Sequence, residues 1–216
     1  MNHKIVFPSV HTMGGKPFTA EVSAPSEALA IRKVLEQHAR EGKPLEYVQI
    51  GNIQELLGAK LDGLKLEHCV LRNVALAGVS LTGAVFSGTT FDKVFADATT
   101  HMDSAIFDNV RFVDCAMDGM RARQAQFSGV RFETTSARGL DVEGGRFSGA
   151  KSFRSDLTRW KAHLCHLSSF DGALEVIEAA DLTVNQKAAM RSLIATAGNR
   201  VAAEDYFNRL EKQSSI

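Results

Sequence analysis

One feature constrains this chain more than any other: large apolar residues recur at every fifth position. From Leu56 the series runs Leu61, Leu66, Leu71, Leu76, Leu81, Phe86 and Phe91. It slips by one residue through Phe95-Ala96-Asp97-Ala98, then resumes at Met102, Phe107, Phe112 and Met117 and continues to Leu167. A period of five matches neither the helix period of about 3.6 nor the strand period of 2. Five residues instead make one short extended side and one turn. Seven of the 13 Phe fall on this register, which explains a composition rich in Phe but holding one Trp and two Tyr.

Two further columns follow the same period. Two residues before each centre stand small or β-branched residues, among them Ala59, Cys69, Val74, Val79, Ala84, Cys115, Ala125 and Cys165. Two residues after each centre stand Gly, Asn or Asp, as at Gly58, Gly63, Asn73, Asn109 and Asp114. Those residue types take the left-handed backbone of a turn at least cost. Centre and small column point inward, and the turn residue sits at a corner.

Ala59-Lys60-Leu61-Asp62-Gly63, Ala84-Val85-Phe86-Ser87-Gly88 and Ala125-Gln126-Phe127-Ser128-Gly129 resemble the pentapeptide-repeat family. The resemblance covers about 110 to 120 of the 216 residues. It departs from the family pattern where Asp or Asn should precede the centre; Asp141 and Asp156 fit that place cleanly. It implies a mainly β fold, a right-handed quadrilateral β-helix with four repeats per coil. Residues 20 apart then stack, with coils about 4.8 Å apart.

A stack of coils leaves two open edges that need covering. Residues 1–44 predict an N-terminal hairpin and capping helix, 45–170 the β-helix, and 171–216 a C-terminal helical cap. In the first segment Ile5 and Phe7 alternate, Gly14-Gly15 suits a turn, and Phe18, Ala20 and Val22 follow. Ser23 or Ser26 caps a helix running to about Arg40, with an apolar stripe of Ala28, Ile31, Val34, Leu35 and His38, and Gly42 ends it. Leu45 and Ile50 are expected as centres of a first, irregular coil. In the last segment Tyr206, Phe207 and Leu210 share one side of a helix, which either caps the rod or pairs two copies. The family resemblance implies a homodimer through such helices.

Catalytic chemistry finds little purchase. Cys69, Cys115 and Cys165 all occupy the small inward column, where Cys serves as a small hydrophobe. His163 and His166 would point away from Cys165, so the cluster does not converge on a metal. A rod filled with Leu and Phe has no concave pocket. The expectation is a non-enzymatic chain that needs no cofactor. No run of 18 apolar residues exists, so no membrane span is expected. No apolar leader follows Met1, which makes the cytoplasm the expected location, although export as an effector leaves no such mark.

Charge sets the function classes apart. Lys+Arg and Asp+Glu number 25 each, which argues against direct nucleic-acid binding. The balance is uneven along the chain. Residues 51–110 carry seven acidic and four basic side chains, residues 111–161 six and ten. At the coil period Arg111, Arg131 and Lys151 stack on one face with Arg154 nearby. These four, with Tyr206, Phe207 and Leu210, are the candidate interaction residues. The leading expectation is a scaffold that binds a protein partner. The family resemblance implies an alternative, because some members imitate B-form DNA, occupy the DNA groove of gyrase and protect it from quinolones. That mimicry needs dense negative charge. The net charge does not supply it, and only a local acidic face would escape this count.

Overall fold

The computed structural model describes residues 1–11, 15–54, 56–157, 159–161 and 166–168, the last three by backbone alone. The chain opens with an antiparallel hairpin of β1 (Asn2–Phe7) and β2 (Phe18–Ser23). Helix α1 (Glu27–Glu41) follows. Ser26 is its N-cap, its hydroxyl accepting from the Leu29 N–H, and Gly42 closes it in the left-handed conformation at φ 63°. The cap residues are those the sequence singles out. The buried stripe agrees in part: Val34 and Leu35 are buried as expected, joined by Ala30 and Ala39, while Ala28, Ile31 and His38 are half-buried. The helix lies against both hairpin strands, so its contact face is rotated from the stripe that periodicity alone selects.

The rod begins with β3 (Leu45–Glu46), β4 (Gln49–Ile53), β5 (Lys65–Glu67), β6 (Val70–Val74), β7 (Val85–Ser87) and β8 (Thr90–Asp92). It continues with β9 (Ile106–Asp108), β10 (Arg111–Val113), β11 (Gln126–Ser128), β12 (Arg131–Glu133), β13 (Arg146–Ser148), β14 (Lys151–Phe153) and β15 (His166–Ser168). Odd-numbered strands from β3 to β15 form a seven-stranded parallel sheet, and even-numbered ones from β4 to β14 a six-stranded parallel sheet. Two lines of single bridges make the other sides: Ala75, Phe95, Ala116, Ser136 and Asp156 on one, Lys60, Ser80, His101, Arg121, Asp141 and Lys161 on the other. The result is a right-handed parallel solenoid with four sides.

Burial follows the five-residue register. Every described centre from Leu56 to Leu157 is buried except Ser152, which is half-buried. Two ladders of rings run along the axis. Phe86, Phe107, Phe127 and Phe147 stack at centroid spacings of 5.2, 4.8 and 4.3 Å. Phe91, Phe112 and Phe132 stack at 4.9 and 5.3 Å. The second ladder would continue at Ser152. Trp160 takes that place instead, 6.0 Å from Phe132 and 5.5 Å from Phe147, with its indole N–H donating to the Ala137 carbonyl at 2.7 Å.

The register slip is a corner. Ala75 pairs with Phe95, 20 residues on, whereas Ser80 pairs with His101, 21 residues on. The extra residue therefore lies between Phe95 and His101. There the Thr100 N–H donates to the Asp97 carbonyl, the Thr99 N–H to the Asp97 carboxylate, and the Gly78 N–H of the preceding coil to the Thr99 hydroxyl. The pairs on either side, Phe91 with Phe112 and Phe112 with Phe132, stay in register. Leu45 and Ile50 are centres of the first coil and pair with Leu66 and Leu71. The expected C-terminal helices lie outside the described residues.

Candidate functional site

The interior offers structure rather than reactivity. Cys69 and Thr89 stand one coil apart in the same inward column, and the Cys69 thiol and Thr89 hydroxyl donate to the Leu45 and Leu66 carbonyls. Cys115 and Thr135 repeat the arrangement on the Phe91 and Phe112 carbonyls. Burial pushes the thiols up to about 11 for Cys69 and about 12 for Cys115, so neither is a thiolate near neutral pH. Among the described residues no group of three or more His, Cys, Asp or Glu is placed to hold a metal ion. The His163–His166 stretch is only partly described, and its side chains lie outside the described set. No described helix is long and apolar enough to cross a membrane.

The outer surface is organised by the coil period. Asp62, Asp103 and Asp118 each stand directly after a centre and accept the backbone N–H of Thr82, Arg123 and Arg138, 2.9 Å away in every case. Arginines then meet carboxylates about one coil away: Arg72 with Asp92 at 2.7 Å, Arg121 with Asp103 at 2.5 Å, Arg123 with Asp141 at 2.9 Å, Arg138 with Asp118 at 2.6 Å. These carboxylates fasten one coil to the next. Sequence reading picked out Asp141, which stands before its centre, but missed Asp62, Asp92, Asp103 and Asp118, which stand directly after theirs.

The candidate ladder lies on the six-stranded sheet. Arg111, Arg131 and Lys151 occupy consecutive parallel strands in one register. The three do not act alike. Arg111 grips Glu133 with two hydrogen bonds, at 3.1 and 2.8 Å. Arg131 and Lys151 are exposed and form no ion pair among the described residues. Arg154, just past the strand, lies over the Phe153 ring at 5.0 Å. Phe153 is 59 % exposed, and Ser152 leaves the surface beside it hollow. Arg131, Phe132, Glu133, Lys151, Ser152 and Phe153 line a shallow depression of about 440 Å³. The sequence signal for it was a Ser at a centre followed by Phe at an outward position. Tyr206, Phe207 and Leu210 lie outside the described residues.

The Arg111–Glu133 pair has a pH consequence. The hydrogen-bonded guanidinium holds the Glu133 carboxyl below its ordinary value, with the Arg131 charge adding to the effect. A folded-state value below the unfolded one stabilises the fold above the unfolded pKa, about 4.3 for Glu. That contribution is lost as pH falls through the folded value. Asp118 behaves alike: burial raises it, but hydrogen bonds from Arg138 and Ser136 leave it lowered. We expect the urea midpoint to fall as pH is taken from 7 to 3, and Glu133→Gln to flatten that fall. An unchanged profile in the variant would show that the pair carries no net stabilisation.

A second surface stands out on the seven-stranded sheet. Glu46 pairs in register with Glu67, and Ser87 with Asp108, so the three carboxylates share one column. None of them forms an ion pair among the described residues.

Comparison with known proteins bears on the repeat. Residues 55–94 match the model of the family described as pentapeptide repeats, in eight copies. The comparison with curated proteins gives no match. Among solved structures, a trypsin-treated variant of QnrB1, a plasmid-mediated fluoroquinolone resistance protein, is similar at 14 % identity and TM-score 0.49, over 72 % of this chain and 90 % of that one. A pentapeptide repeat protein from the thylakoid lumen of Arabidopsis thaliana is similar at 14 % identity and TM-score 0.22, over 69 % and 86 % of the two chains. HetL, a pentapeptide repeat protein involved in heterocyst differentiation regulation from the cyanobacterium Nostoc, is similar at 15 % identity and TM-score 0.18, over 62 % and 89 %.

Proposed function

This chain belongs to the pentapeptide-repeat family, and from that premise we propose that it is a non-catalytic binding protein whose partner, another protein, docks on a side of the rod. One observation carries the reading. The axis of the described rod is filled by stacked Phe rings and Leu side chains, so recognition falls to the outer sides. Flat, rigid sides suit a protein surface better than a small molecule, which binds in concave sites.

The test is photo-cross-linking with a benzophenone amino acid at one exposed position per side: Ile106, Arg72, Phe95 and Thr82. In extract of the source cells, one side, or two adjoining sides, is expected to capture a discrete protein while the others stay blank. Absence of any cross-link from all four positions would overturn the proposal.

A second reading has its own observation. The column of Glu46, Glu67 and Asp108 is a local acidic strip that the net charge conceals. It is the surface a gyrase-docking protein of the quinolone-protection type would use, since mimicry of DNA substitutes carboxylates for phosphates. The strip spans three carboxylates, and Asp92, Asp103, Asp118, Glu133 and Asp141 are engaged by arginines. Stoichiometric inhibition of supercoiling by purified gyrase, lost on Glu46→Lys, Glu67→Lys and Asp108→Lys together, would identify gyrase as the partner. Full supercoiling in the presence of the chain would remove this reading.

A further inference from the structure

We infer that the depression at Arg131, Lys151 and Phe153 docks an acidic segment of a partner protein in which a carboxylate side chain adjoins an apolar one. The inference rests on the protein-binding reading and adds the side used and the chemistry of the partner.

Five arginines of the rod, Arg72, Arg111, Arg121, Arg123 and Arg138, meet a carboxylate from a nearby coil. Arg131 and Lys151 form no ion pair among the described residues and stand directly opposite each other in the parallel register. Like charges directly opposed on neighbouring strands, about 5 Å apart, are destabilising. The two cations repel each other, whereas an incoming carboxylate would be held by both.

The apolar half of the site has a separate origin. Ser152 replaces the ring that the Phe91, Phe112 and Phe132 ladder would place there, and Trp160 fills the interior in its stead. The core is therefore complete without Ser152, and the hollow opens outward. Phe153 stands at its rim with more than half its surface exposed. An exposed ring beside a hollow is a natural anchor for an apolar side chain. Glu133 also lines the depression, its carboxylate fixed by Arg111. That fixed negative charge disfavours a doubly charged phosphate beside it, and admits a single carboxylate on the Arg131–Lys151 side.

The experiment uses the full chain and a fluorescein-labelled octapeptide of serines and glycines with one glutamate beside one leucine, with the glutamine version as control. Anisotropy is expected to rise with the glutamate peptide, to fall back with added salt, and to stay flat with the glutamine peptide. Arg131→Glu with Lys151→Glu should weaken binding about tenfold or more. Phe153→Ser should weaken it about fivefold. Lys93→Glu, an exposed cation at a corner of an earlier coil, should leave it unchanged. Buried-Trp160 emission reports that each variant is folded.

Equal binding of the glutamine peptide, or full binding by the double variant, would overturn the inference. So would displacement by inorganic phosphate beyond that of sodium chloride at matched ionic strength, which would assign the site to phosphoryl groups. If another side of the rod cross-links a protein while the glutamate peptide fails to bind, this inference falls and the protein-binding reading stands. If no side cross-links, both fall.

Discussion

Phe112→Ala is expected to lower the stability of the rod by about 3–5 kcal/mol, as removal of a buried ring does. Phe112 is 1 % exposed and touches three other rings, Phe91, Phe107 and Phe132. Its position makes the loss severe. The coil backbone is tied above and below by parallel pairing to β8 and β12, so the walls cannot collapse into the space left. Small domains commonly hold about 5–15 kcal/mol in all, so this one change removes a large share. Urea denaturation followed by circular dichroism should show the midpoint falling sharply. A midpoint close to that of the parent would mean that neighbouring rings repack, contrary to the stiffness argued for the coils.

Trp160→Ala should be comparably costly, about 3–5 kcal/mol locally, but different in kind. Trp160 is 2 % exposed and closes both ring ladders at one end. In a linear array each coil depends mainly on its neighbours. Loss of the indole should therefore loosen the last described coils first and spare the middle. Amide exchange tests this: protection between Asp141 and Leu157 should drop markedly, while that between Leu61 and Phe91 persists. Trp160→Phe should restore most of it. Uniform loss of protection along the rod would show that it unfolds as one unit and that the end has no separate status.

The contrast between these two residues shows what the sequence disclosed. Phe112 sits on a register that repeats many times, and repetition makes a weak local signal strong. The same register placed Arg111, Arg131 and Lys151 in one column, as the strand pairing bears out. Trp160 stands in the small inward column, where a large ring contradicts the pattern. Its fit depends on Ser152, eight residues earlier, and only three-dimensional packing joins the two. The ion pairs were hidden for a related reason. Arg123 meets Asp141 across 18 residues and Arg111 meets Glu133 across 22, offsets that depend on which way each long side chain leans. The helix stripe was right at Val34 and Leu35 and displaced elsewhere, because α1 serves the hairpin as well as the rod. Its Arg32 donates to the Leu57 and Gly58 carbonyls of an early coil corner, a tie no helical periodicity contains.

The corner at Asp97–Thr100 carries a lesson for protein engineering. It accommodates one residue more than its neighbours without disturbing the strands before or after it. The hydrogen bonds that seat it are supplied largely by its own threonines and aspartate. Length at this point is decoupled from register, which is the condition for a tolerated insertion. A longer foreign peptide grafted at this corner would leave the rod at a fixed place in its wall. The chain thus contains a ready mounting point for displayed sequences, set in the wall of the rod.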